Sequence, residues 1–571
     1  MSVVKALFSG RIASENLLPF PQLREKDRES LALILEAIDQ FLEPRRHDFP
    51  RWDRDGAQPA EFIQGLRDLG LFGLIIPEEF AGIGLSNAAY ARVLSQTSRH
   101  DSSVSLTIGA HSSIGMKGIL LFGTAEQKAR YLPRLASGEL IAAFCLTEAG
   151  SGSDAASIRT HAERNPDGSW TLNGEKIWIT NGGIADLYTV FARTPTATGK
   201  ISAFLVESHW PGVSHGKHED KMGIRASSTT TVTFDGVRVP PENVLDAEGK
   251  GFKVAMAILN NGRTGLGGGA VGGMKALIAL ATAQAGERKQ FGHPIAEFDL
   301  IKEKIAQMMV DCFASESVVW MVAHYIDSGS DDYSIEAAIS KIFVSEAMQR
   351  TAYEALQIAG GSGFMRDYPY EQAVRDSRIL TIFEGTNEVL RLYVALSGLR
   401  DLGRSFAELR SALDDIFNNP IKGFGVLGDY AEKRLTQATG IGRDRISALL
   451  PAGLRTASEI YEKYTLELAK AAEYVLRRYG KGVADRQFEL KRIADLAIDL
   501  FVGACVLSRA AALAGDAHKG AQAATIATLF AQRAKRRMAG TIRRITRNED
   551  ESVRTLAGFA FEQRGYPWDV V

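Results

Sequence analysis

From about Asp27 to Leu135 apolar residues recur at every third or fourth position, as in Leu31, Ile34, Ile38 and Leu42, the spacing of helices with one buried face. The pattern changes near Ile141. Short β-rich runs follow, Trp170 to Leu172, Leu187 to Ala192, Ser202 to Glu207 and Thr229 to Phe234, divided by turn dipeptides such as Asp167-Gly168 and Asn173-Gly174. They predict a small all-β insert closing as a barrel. Helical spacing returns at Gly251 and lasts to about Leu399, room for four or five antiparallel helices. A looser stretch, with Asn418-Asn419-Pro420, Gly423, Gly425 and Gly428, leads to another helical region from about Leu454 to Arg547. The chain reads as mainly α with a central β domain: 1–140 helical, 141–246 a β-barrel, 247–400 a helical bundle and 401–571 a C-terminal helical extension.

A length of 571 residues exceeds what one hydrophobic core serves, which agrees with several packed units. The 67 basic residues balance 68 acidic ones, so no global field draws in nucleic acid. Cys145, Cys312 and Cys505 lie too far apart for a zinc ribbon or disulfide scaffold, which fits a reducing compartment. No apolar run approaches the roughly 20 residues of a membrane span. Met1 to Phe20 lacks the apolar core of a secretory signal and the Arg and Ser richness of a mitochondrial presequence. The expected location is a bacterial-type cytoplasm, peripheral contact with the inner membrane included, with the mitochondrial matrix as alternative.

Chemistry concentrates in five short stretches. Leu146-Thr147-Glu148-Ala149-Gly150-Ser151-Gly152-Ser153-Asp154 alternates hydroxyls with bare backbone amides, a composition that suits a polar ring edge or a pyrophosphate. Alone it would be an ordinary polar turn. The others are Trp178-Ile179-Thr180-Asn181-Gly182, Glu287-Arg288-Lys289-Gln290-Phe291-Gly292, Gln357-Ile358-Ala359-Gly360-Gly361 and Ile382-Phe383-Glu384-Gly385-Thr386-Asn387. In this order, and with the helical, β, helical arrangement, they make the chain resemble the acyl-CoA dehydrogenase family.

That resemblance implies an FAD-dependent enzyme of fatty acid β-oxidation that desaturates a fatty acyl-CoA between its α and β carbons, with an electron-transferring flavoprotein as electron acceptor. It implies Glu384 as the catalytic base, a role for which a carboxylate in an apolar site is suited because burial raises its pKa. Phe144, Leu146, Thr147, Gly152, Ser153, Trp178, Ile179 and Thr180 would line the flavin, Trp178 covering its ring and Thr180 near N5. Phe291, Gln357, Gly360 and Gly361 would also bind the flavin, and Arg288 would serve the flavin of a neighbouring subunit, which implies a homodimer. Thr386, Asn387 and Glu388 would face its adenine diphosphate end. Ser153, Asn260, Arg263, Phe383 and Gly385 would contact substrate.

Some relatives place the base directly before the arginine equivalent to Arg263. That position is Gly262 here, which leaves Glu384 as the base. Ala143 to Glu148, Ile258 to Arg263 and Ala337 to Phe343 echo the very-long-chain branch of the family, as does the region beyond Arg400. The small residues Gly109 and Ala110, with Leu106, predict a long acyl tunnel, although close helix packing would use them equally. Residues 421–435 mix Ile421, Phe424 and Leu427 with Lys422, Lys433 and Arg434, a composition open to a peripheral membrane contact or a solvated loop. The basic run from Arg533 to Arg547 reads first as a solvated helix face. Gly267 to Gly272 satisfies GxGxxG but has no strand before it, so close helix packing is its better reading. His215 and His218 have no third ligand nearby, and no metal is expected. The rival functions are an acyl-CoA oxidase and a respiratory-complex assembly factor.

Overall fold

The computed structural model describes residues 2–195, 200–330, 332–414 and 445–570. They form two compact units, one of residues 20–389 and one of residues 1–19 with 390–571.

In the larger unit the first helices bury apolar stripes in one core that holds Leu31, Ile38, Leu42, Phe62, Leu66, Leu94 and Ile108. Their ends are fixed locally. Ser86 accepts the Ala89 amide at the start of the helix Asn87–His100, and Thr124 with Gln127 forms a capping box before Ala125–Ala136. The core runs on without a break into one face of the sheet, through Leu187, Phe191 and Leu205.

That sheet has eight strands: β1 (Ala142–Cys145), β2 (His161–Arg164), β3 (Trp170–Thr180), β4 (Leu187–Arg193), β5 (Ile201–Glu207), β6 (Val213–His215), β7 (Thr229–Val239) and β8 (Val244–Leu245). The hydrogen-bonded order is β6-β7-β3-β2-β4-β5-β8, with β1 parallel to β4. β4 and β5 are buried on both faces because alternate residues enter two different cores. The second core joins strands that are not neighbours: Trp170 meets Phe204 edge to face at 5.6 Å, and Tyr188 meets Phe234 at 6.3 Å. The sheet therefore curls around its own core, with β6 and β8 at its edges. Asn173-Gly174, expected as a turn, lies inside β3, where the register shifts between Leu172 and Gly174. The extra residue of that shift lies on β7, at Asp235-Gly236, where Gly236 takes φ +62° and its amide donates to Asn173 Oδ1 at 2.8 Å.

The bundle is built on three long helices, Gly251–Glu287, Asp299–Asp327 and Ser334–Ala359, followed by Tyr370–Arg378 and the start of Asn387–Asp414. The first is rich in glycine because it lies backbone to backbone against Asn87–His100. A Cβ on Gly268 would stand 2.3 Å from the Ala91 carbonyl oxygen, and one on Gly272 would stand 2.0 Å from that of Ser95. The GxGxxG match is a packing seam. Against the expectation from sequence, Gly251–Glu287 and Asp299–Asp327 are long and apolar enough to cross a membrane. In the structure 44% and 61% of those stretches are buried, against Asn87–His100 and the other helices of the bundle.

The smaller unit joins both ends of the chain. Helix Val3–Phe8, expected in the N-terminal domain, packs with the C-terminal helices: Lys5 pairs with Asp401 at 3.3 Å, and a Cβ on Gly398 would meet the Phe8 ring at 2.4 Å. Helices Arg455–Tyr479, Gln487–Ala512 and Gly520–Thr546 form its body, and Gly503 lets the Tyr461 ring lie against the middle one. Of the basic run on Gly520–Thr546, Arg537 pairs with Asp499 at 2.6 Å, while Lys535, Arg536, Arg543 and Arg544 are exposed. Residues 421–435 lie outside the described residues.

Candidate active site

Glu384 occupies the short link between the turn Ile379–Thr381 and the helix Asn387–Asp414. Its backbone is left-handed, φ +55°, and Gly385 follows at φ +97°. A side chain at the first position costs about 1–3 kcal/mol, and only glycine takes the second readily. The surroundings hold both in place. Arg263 donates to the Glu384 carbonyl at 3.3 Å and to Asn260 Oδ1 at 2.6 Å, and Lys341 donates to the Gly385 carbonyl at 2.7 Å and to Asn387 Oδ1 at 2.9 Å. Asn387, itself buried, donates onward to Ser345 Oγ at 3.0 Å and Glu346 Oε1 at 3.1 Å.

The Glu384 carboxylate is treated differently. Its Oε2 is sealed from water and has no hydrogen-bond partner. Burial raises its pKa, against the lowering pull of Arg263 and then Lys341. Such a group is a poised proton acceptor. Gly262, where some relatives carry the base, is closed by packing: a Cβ there would meet Ile114 at 2.8 Å.

Ile114 belongs to a π-helical segment, Ala110–Gly115, that continues the helix Ser102–Gly109. Leu106 is half-buried on that helix, and Gly109 and Ala110 are buried at the junction. A Cβ on Gly109 would make only ordinary contact with Leu94, at 3.6 Å. The Asn181 side chain donates to the Thr107 carbonyl at 3.0 Å, which ties this helix to the end of β3.

On β3 the register shifts again between Lys176 and Ile179. Trp178 takes φ +56° there and leaves 63% of its surface exposed, while Ile179 turns inward. A large aromatic in a strained, exposed position is arranged to meet something outside its own fold. The facing loop is tight: Glu148 and Ser151 exchange backbone hydrogen bonds at 3.1 and 3.0 Å, and the Ile177 amide donates to the Thr147 carbonyl at 3.0 Å. Ser153 is exposed, and a Cβ on Gly150 or Gly152 would touch nothing within 4 Å. Phe144 packs on Phe191 at 5.0 Å behind this loop, beside buried Leu146.

Two buried lysines received no role from the sequence alone, and the first of them carries this loop. Lys176 Nζ donates to Glu148 Oε1 at 2.7 Å and to the Leu146 carbonyl at 3.1 Å, and Glu148 also accepts the Arg159 and Thr160 amides at 2.6 and 3.0 Å. Burial alone would push Glu148 up, but the bonds from Lys176, Thr160 and Arg159 outweigh it and hold the carboxyl at about 2. The signal was in the strand period: Lys176 falls on the inward positions of Trp170 and Leu172. Lys341 is the second omission, a lysine inside the run Ala337 to Phe343, all of it buried.

Arg288, Phe291, Gln357, Gly360 and Gly361 are not brought to this site. Arg288 caps the far end of the glycine-rich helix, roughly 37 Å along it from Arg263 at 1.5 Å per residue, and Gly360 ends the helix that begins at Ser334, roughly 28 Å beyond Lys341. Phe291, at φ +54°, is 92% exposed, and a Cβ on Gly360 or Gly361 would meet nothing. Thr386 accepts the Val389 amide at 3.4 Å in the first turn of the Asn387–Asp414 helix, whose Glu388 is exposed. The exposed indole and the loop of hydroxyls and glycines fit a flat polar ring carrying phosphates, so the donor set of this site suits FAD.

Family models for the acyl-CoA dehydrogenase N-terminal, middle and C-terminal domains match residues 28–139, 143–237 and 249–399, and one for the ACAD9/ACADV C-terminal domain matches 452–566. A mitochondrial very long-chain specific acyl-CoA dehydrogenase of Macaca fascicularis is 47% identical over 531 residues, 91% of this chain and 80% of the relative. An acyl-CoA dehydrogenase complexed with FAD from Bacillus anthracis superposes with a TM-score of 0.81 at 31% identity, covering 99% of this chain and 96% of that one. A chain from a structure of the electron transferring flavoprotein of Acidaminococcus fermentans superposes with a TM-score of 0.63 at 36% identity, covering 66% of this chain and 98% of that one. With its three successive domain matches and full-length likeness in sequence and structure, this chain belongs to the acyl-CoA dehydrogenase family.

Proposed function

We propose that this FAD-dependent acyl-CoA dehydrogenase desaturates long-chain fatty acyl thioesters and that Glu384 is its base. The carrying observation is the half-buried Glu384, whose Oε2 is sealed without a hydrogen-bond partner on a backbone that two neighbouring side chains, Arg263 and Lys341, hold in a strained form. The reaction removes a proton from the α carbon and a hydride from the β carbon of a saturated thioester and leaves a trans double bond. Bound FAD supplies the hydride acceptor. Glu384 takes the α proton, and its backbone N–H polarises the thioester oxygen on which negative charge develops. Arg263 and Asn260 organise the CoA end, and Trp178 with Thr180 orients the ring against the substrate.

Long-chain preference is supported by the small residues Gly109 and Ala110, buried at the junction of Ser102–Gly109 with the π-helical segment, and by the very long-chain name of the Macaca relative. Electrons would pass to an electron-transferring flavoprotein, a partner supported by the likeness to a chain from such a structure. A homodimer accounts for the remote set around Arg288 and Gly360, which has no use at its own chain's Glu384, and for the exposed Phe291, Tyr353, Phe364 and Met365 in these segments.

The test is anaerobic flavin absorbance during titration with saturated acyl-CoAs of increasing length. Bleaching strongest with long chains is the expected result. Bleaching confined to short or medium chains overturns the long-tunnel reading, and no bleaching at any length overturns the activity.

A further inference from the structure

Lys341 is completely buried on the helix Ser334–Ala359, where an unpaired ammonium would be costly. Its two hydrogen bonds go to the Gly385 carbonyl and to the Asn387 side chain, the residues on either side of Thr386 and directly after Glu384. Neither reaches the carboxylate. Asn387 is itself held by Ser345 and Glu346 of the lysine's own helix, so the lysine and the asparagine clamp the loop between two rigid elements.

We propose that Lys341 is a positioning residue for the reaction: it fixes the left-handed Glu384–Gly385 backbone and supplies positive charge that keeps Glu384 ionised in a dry site. This rests on the reading of Glu384 as base. The charged and titratable groups facing Glu384 are Arg263 on the glycine-rich helix, Lys341 itself and the Tyr90 phenol on Asn87–His100, and Arg263 exerts the larger of the two cationic effects. Those facing Lys341 are Glu384, Arg263, Glu346 and Glu388. Burial brings Lys341 down to about 7, with Glu384 the largest opposing influence, so it is cationic at pH below that value. Placing that charge on backbone and amide, rather than on the carboxylate, stabilises the anion without occupying the oxygens that must accept a proton.

The experiment compares flavin-loaded wild type with Lys341→Met, Lys341→Gln and Lys341→Arg, using Glu384→Gln as reference. Two quantities are followed against pH: the infrared carboxyl band that Glu384→Gln removes, and the rate of flavin bleaching by a saturated acyl-CoA. Met and Gln are expected to move the Glu384 titration and the acid limb of the rate upward by about one pH unit, with Arg restoring both. A merely structural lysine would lower the rate at every pH without moving the limb. Unmoved titrations in Met and Gln overturn the inference. If neither neutral variant retains flavin, wild type decides: an ionised Glu384 at pH 7 is expected, and a protonated carboxyl there overturns it. If Glu384→Gln still bleaches, the assignment of the base has failed, while the infrared shift still judges Lys341.

Discussion

Two glutamates of this chain stand beside a fully buried lysine, and they meet opposite fates. Glu148 receives Lys176 directly, with two backbone amides besides, and its proton affinity collapses. Glu384 has Lys341 close enough to feel its charge, yet that lysine bonds to the backbone and to Asn387, and the carboxylate keeps a raised pKa and a bare oxygen. One pair quenches chemistry to build a loop. The other withholds the hydrogen bond to preserve chemistry, and the protein bears the cost as strain and unpaired burial. Residue type and burial alike fail to separate the two sites; what separates them is where the ammonium protons point.

The largest effect that would break this comparison lies on the structural side. Glu148→Gln leaves Lys176 a buried cation without its anion, and we expect about 3–5 kcal/mol of lost stability, measured by denaturant unfolding of the flavin-loaded protein. Lys176→Met should cost less, about 1–3 kcal/mol, because Glu148 keeps its two amide donors. Burial pushes the Lys176 pKa down even with Glu148 opposing it, so the pair gains little as a whole and much of the loss reflects the orphaned partner. Equal losses in the two variants would contradict this.

On the catalytic side the sign reverses. Glu384→Gln removes a charge whose Oε2 is sealed without a hydrogen-bond partner, so it should stabilise the protein by about 0.5–2 kcal/mol even as it abolishes activity. The pH dependence separates the two further. Glu148 binds its proton more weakly folded than unfolded, so its contribution is complete above the ordinary carboxylate value near ~4.3 and is lost as pH falls toward 2. Glu384 binds its proton more tightly folded, so its cost appears as pH rises above the ordinary value and acidification relieves it. The deficit of Glu148→Gln should therefore shrink on acidification through that lower window, whereas the gain of Glu384→Gln should already have vanished as pH falls to the ordinary carboxylate value.

Much of this was legible in the sequence. Helical spacing, the β runs and the glycine seam all reflect periodicity or close packing, which are local properties. Glu384 emerged because its neighbours resemble a family motif, and the left-handed backbone beneath it adds a physical reason for the glycine that follows. Lys176 and Lys341 were missed because a charged residue is usually read as solvated, although both sit at positions whose period points inward. The family motif proposes Trp178 as a ring cover, but the shift in strand register that exposes it was not legible. The placement of residues 1–19 with the C-terminal helices depends on contacts across the whole length of the chain, and no local pattern encodes such a pairing.

The most direct test of the central claim is stopped-flow, anaerobic bleaching of the flavin by a long-chain saturated acyl-CoA, comparing wild type with Glu384→Gln at equal flavin loading. The account predicts a rate lower by about 100- to 10,000-fold in the variant, the range a positioned general base supplies, with substrate binding retained. A rate within a few-fold of wild type would contradict it.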